Sequence, residues 1–181
     1  MHSSLERRSV GTPQGPIVRV SVGATAYYDR DVTIRRWPAG SGVVEFPDGR
    51  CVRGRGLWDT RAAGTEPDLA IYLLAKAPTP SAWHSVWIRW PDFRLPADER
   101  SAFAALTEAY DRSAIERVEI ACGGGRGRTG CAIAVLAVLA GIDPAAAVDW
   151  TRVSYHRRAV ETPWQRRWVR NLDADRIRSR G

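Results

Sequence analysis

Cys122 opens a run of three glycines, and an arginine falls six positions after it, in the stretch ACGGGRGRTG spanning 121–130. Residues without a Cβ leave room for a negatively charged group to approach the backbone. Six backbone N–H groups, from Gly123 through Gly124, Gly125, Arg126 and Gly127 to Arg128, can turn inward around such a group. If a helix follows, the positive end of its dipole points at the same spot. A thiol placed there is expected to ionise near neutral pH, which makes Cys122 a candidate nucleophile. The same ring of donors suits a tetrahedral oxyanion, and the planar fork of Arg128 can hold two of its oxygens where a lysine could not. A nucleotide-binding P-loop is excluded, because Cys122 stands where that motif needs glycine and Arg128 where it needs lysine.

A second group completes the chemistry. WPDFRLP, at 90–96, places Asp92 thirty residues before Cys122. A carboxylic acid on a loop that closes over the site could protonate a leaving oxygen while excluding water. With both motifs in view, the chain resembles the cysteine-dependent phosphatases of the protein tyrosine and dual-specificity superfamily. Their signature, Cys-x-x-Gly-x-Gly-Arg-Ser/Thr-Gly, is matched by Cys122, Gly125, Gly127, Arg128, Thr129 and Gly130, and their Trp-Pro-Asp loop by Trp90, Pro91 and Asp92. The resemblance covers roughly 82–169. It implies a metal-independent phosphomonoester hydrolase acting through a phosphocysteine, with no cofactor. Cys122, Arg128, Asp92 and Thr129 would then be catalytic, and 123–128 would bind the phosphate. Thr129 could donate its hydroxyl to the Cys122 sulfur.

Gln165, in AVETPWQRRWV, matches a glutamine that relatives hold near the hydrolytic water. Thr162 and Gln165 are equally spaced as a helix capping box, and both readings stand. Two positions depart from the family: Ala121 replaces the usual histidine, and Arg94 a common glycine. Phosphotyrosine or phosphoserine/threonine protein is the expected substrate. Arg126, where phosphoinositide-directed relatives have lysine, leaves a multiply phosphorylated or lipid head group open, and Ala121 leaves open a phosphate-binding module without turnover. Sulfur transfer would need no acid loop, which argues against a rhodanese-like or arsenate-reducing enzyme.

Elements must bring these residues together. Short β-type runs at 17–22, 43–46, 51–53, 69–74 and 85–89 lead to a helix at 97–112 and a strand at 117–121. Pro47, Asp48 and Gly49 signal a hairpin. A nearly unbroken apolar helix is expected at 129–140, closed by Gly141. Asp143-Pro144 opens a helix to about 156, and Thr162-Pro163 another to about 178. The pattern predicts an α/β fold, with a central, mainly parallel sheet flanked by helices and the Cys-x5-Arg loop between a strand and a buried helix. Residues 1–16 read as a flexible arm and 17–181 as a single domain.

The chain has 181 residues, 44% hydrophobic, enough for one core without staples. Its three cysteines and three histidines show no metal-ligand spacing, and no metal is expected. A Cys51 to Cys122 disulfide under oxidation is a further expectation to test. Net charge is +7 with a pI near 10.0. The basic residues are nearly all arginine and scattered along the chain, so an anionic ligand is expected and nucleic acid is not. No stretch reads as a signal peptide or a membrane span, so a cytoplasmic protein is expected. Oligomeric state has no signature here.

Overall fold

The computed structural model describes residues 34–60 and 66–179. The predicted run at 17–22 and the predicted arm lie outside them. Among the described residues five strands form one sheet: β1 (Val43–Glu45), β2 (Cys51–Gly56), β3 (Leu69–Leu74), β4 (His84–Arg89) and β5 (Val118–Cys122). Their order is β1-β2-β5-β3-β4. β1 and β2 make the expected antiparallel hairpin, and every other pair is parallel. Phe46 and Arg50 close the hairpin (2.8 Å), with Gly49 at a positive φ of 82°.

β5 is the central strand, parallel to both β2 and β3, and all five of its residues are buried. Such a strand has no polar face to show water, hence the β-branched run that marks it in sequence. Its alternation separates two environments. Val118, Ile120 and Cys122 join the main core with Leu69, Ile71 and Leu73 of β3, whereas Ala121 joins a small cluster with Ala70 and Tyr72. Glu119, also on the second side, is buried and paired with Arg53 of β2 at 2.6 Å.

Five helices are found among the described residues: α1 (Glu99–Arg112), α2 (Gly127–Leu139), α3 (Pro144–Ser154), α4 (Pro163–Arg170) and α5 (Ala174–Arg178). Their buried apolar side chains all join the main core. Every residue of α2 is buried, as its all-round apolar sequence requires. It begins at Gly127, two residues before the apolar run suggested, so Arg128 lies in its first turn. The helix expected from 163 to 178 is instead two. Asn171 ends α4, Leu172 drops into the core, and the Asp173 carboxylate accepts from the N–H groups of Asp175 and Arg176, capping α5. A short acidic side chain offers the backbone a local alternative to helix continuation.

Candidate active site

The phosphate-loop candidate runs from the end of β5 to the first turn of α2, so its anchors are the two most buried elements of the fold. Cys122 is itself buried, and its Sγ accepts the N–H of Gly125 at 3.2 Å. Gly125 has φ 66°, and a Cβ there would collide with the backbone of Arg55 and Gly56, so no other residue suits the position. The Tyr155 hydroxyl, arriving from the end of α3, donates to the Gly125 carbonyl and ties the loop from the other side. Burial pushes the Tyr155 pKa up, and negative charge at Cys122 and Asp59 adds to it.

Arg128 has its side chain almost fully buried and divides its fork. Nη1 donates to the Trp90 carbonyl at 3.1 Å, and Nη2 pairs with the Asp92 carboxylate at 3.1 Å. The two motifs, distant in sequence, thus meet at one guanidinium. Trp90 is fully buried and ties off its own loop, its indole N–H donating to the Arg94 carbonyl at 2.8 Å. Phe93 sits at a positive φ of 55°, a strained conformation for an aromatic residue, next to the half-exposed Asp92. The start of α4 holds this turn: the Trp164 indole donates to the Phe93 carbonyl (2.6 Å), and the Gln165 amide to the Arg94 carbonyl (3.2 Å).

Thr129 is buried in the first turn of α2, and its hydroxyl has no hydrogen-bond partner among the described residues. The contact to the Cys122 sulfur expected from sequence is not made in this arrangement. Gln165 is also buried. Its carbonyl oxygen accepts the Thr162 N–H at 3.1 Å while the Thr162 hydroxyl accepts the Gln165 N–H at 3.2 Å, a complete capping box. Arg126 precedes α2 and is exposed. Its charge, with those of Arg157 and Arg158, joins burial in lowering the pKa of His156.

Sequence reasoning passed over Trp58, Tyr155 and Glu161. The Glu161 carboxylate lies against Gly127, where a Cβ would collide with it, at the favourable end of the α2 dipole. None belongs to either motif, and only the packing of the α3–α4 connection and the segment after β2 brings them here. A Cys51 to Cys122 disulfide is ruled out by register. Gly56 is the partner of Cys122, and Cys51 lies at the other end of β2. At about 3.3 Å per residue the separation is roughly 16 Å, well beyond disulfide reach. Burial, with charge at Cys122 and Glu161, pushes the Cys131 thiol pKa up.

Comparison with known proteins bears on the family and the fold. The family model described as the Swiss Army Knife protein, DSP-PTPase phosphatase domain, matches residues 75–180. The crystal structure of Tk-PTP in its active form is similar, with a TM-score of 0.56 at 21% identity over 74% of this chain and 97% of that one. A mutant form of Tk-PTP gives the same TM-score and identity over 75% of this chain and 97% of that one. These likenesses show a shared α/β fold. No curated protein sequence matches.

Proposed function

This chain belongs to the Swiss Army Knife DSP-PTPase phosphatase domain family, and from that premise we propose that it is a metal-independent phosphomonoester hydrolase acting on phosphotyrosine or phosphoserine/threonine proteins. The observation that carries the reading is the 3.1 Å pair between Arg128 and Asp92, which joins the phosphate grip to the acid beside the Cys122 loop. The Cys122 sulfur attacks phosphorus, and the P–O bond breaks with its electron pair going to the leaving oxygen, which takes the Asp92 proton. Arg128 and the loop N–H groups hold the remaining oxygens. Phosphate oxygens replace Asp92 on the Arg128 fork, freeing the carboxyl to face the leaving group. Water then attacks the phosphocysteine, giving a proton to Asp92, and the P–S electron pair returns to sulfur. Thr129, by a rotation of its unpartnered hydroxyl, donates to that sulfur as it leaves.

Gln165 we assign to holding the acid loop, since its amide is engaged with Thr162 and Arg94. The three cysteines are free, in keeping with a reducing, cytoplasmic setting. A multiply phosphorylated or inositol phosphate head group is the second reading, favoured by the gathering of Arg126, Arg157 and Arg158 charge about His156.

The test is p-nitrophenyl phosphate turnover in the presence of a chelator. Wild type should release phosphate, and Cys122→Ser should lose activity by at least about three orders of magnitude while still binding inorganic phosphate. A wild type that binds phosphate without turnover would instead be a non-catalytic binding module.

A further inference from the structure

Trp58 is the most exposed aromatic side chain among the described residues, at 81% of its surface, yet it is not loosely placed. Its backbone N–H donates to the Gly123 carbonyl at 3.3 Å, and the neighbouring Leu57 backbone N–H donates to the Cys122 carbonyl at 2.9 Å, so the segment after β2 continues alongside the phosphate loop. The indole lies across that loop. A Cβ on Gly123 would fall 3.1 Å from Trp58 Cζ2, and the same point is 3.5 Å from Arg128 Nη2. A Cβ on Gly124 would fall 3.5 Å from Cζ3. The ring therefore stands beside the grip that would hold the phosphate. The turn that carries it is braced from the sheet: Arg55 of β2 donates to the Asp59 carbonyl at 2.7 Å and approaches the buried Glu119 carboxylate at 3.5 Å.

Isolated exposed apolar residues are common and need no explanation. A braced tryptophan with its ring on a candidate nucleophile loop is a different case. We propose that Trp58 is a specificity-determining residue: its indole forms a wall of the phosphate pocket and packs against the group that carries the phosphate, selecting flat aryl phosphomonoesters over alkyl ones. The inference rests on the hydrolase reading above and narrows its substrate class. An aromatic ring one ester bond from phosphorus offers the indole a broad face and favourable ring-to-ring geometry. A serine methylene offers too little area to gain from it.

The experiment compares two peptides of identical flanking sequence, one with phosphotyrosine and one with phosphoserine, on wild type, Trp58→Ala and Trp58→Phe. Wild type should favour phosphotyrosine. Trp58→Ala should lower kcat/KM for that peptide about tenfold, chiefly through KM, and leave the phosphoserine peptide and competitive inhibition by inorganic phosphate within about twofold. Trp58→Phe should recover most of the loss. Equal losses on both peptides with weakened phosphate inhibition would make Trp58 a mere support of the loop and overturn the proposal, as would no change at all or a wild-type preference for phosphoserine. A wild type that releases no phosphate even from p-nitrophenyl phosphate overturns the hydrolase reading itself, and that arm needs no Trp58 variant.

Discussion

In the proposed mechanism the Asp92 carboxyl gives a proton in one step and takes one in the next, and its placement on Arg128 makes that assignment testable. Asp92→Asn keeps the loop but cannot give a proton. Its rate on poor leaving groups should fall by about two to four orders of magnitude. Aryl phosphates with good leaving groups should suffer far less, which a leaving-group series would reveal. Arg128→Lys keeps a charge but loses the fork that spans Trp90 and Asp92. Its kcat/KM should drop nearly as far as in a Cys122 variant, and near-wild-type kinetics would remove Arg128 from the site.

At the scale of elements, the acid loop and the start of α4 behave as one unit. Gln165 caps α4 through Thr162 and reaches Arg94 in the loop, so one buried amide serves both. Gln165→Ala would leave the Thr162 N–H without its partner, at a cost of about 1–3 kcal/mol for a buried orphan, while the Arg94 carbonyl would keep only the Trp90 indole. Urea unfolding should report that loss. Rapid-quench kinetics should show slower formation of the phosphoenzyme, as the acid loop loosens, with no accumulation of it. A burst of accumulated phosphocysteine would instead assign Gln165 to the hydrolytic water.

For the whole molecule, the cluster about His156 sets a pH limit. Burial, then the charges of Arg126, Arg157 and Arg158, hold its pKa below the ordinary 6.5, with Glu161 opposing. The unfolded chain therefore takes up more protons than the folded one as pH falls through about 6.5. Stability should decline in that window, above the more acidic range in which Asp48 and Asp68, both held low, begin to titrate. For Asp48 and Asp68, hydrogen bonds and neighbouring arginines outweigh the upward push of burial. Denaturation midpoints measured between about pH 8 and 5.5 should fall for wild type and flatten for His156→Gln. An unchanged slope in that variant would place the titration elsewhere.

Local chemistry is the part of this protein that its sequence determined alone. The hairpin at Pro47–Gly49, the buried helix after the glycine loop, the Asp143 and Thr162 caps and the spacing of Cys122 to Arg128 all depend on residues near one another in the chain. Periodicity, turn chemistry and capping report such features directly. Even there, the break at Asn171–Asp173 escaped the periodic pattern, because a cap by one carboxylate competes with helix continuation at small cost. Tertiary packing decided what meets the loop. Parallel pairing of β2 with β5 set Gly56 beside Cys122, which brought Trp58 over the cradle and carried Cys51 out of reach. The end of α3 brought the Tyr155 hydroxyl to Gly125, and the start of α4 brought Gln165 to the acid loop. Contacts of that kind join residues tens of positions apart, and no local pattern in a single chain encodes which distant surfaces will share one packed core.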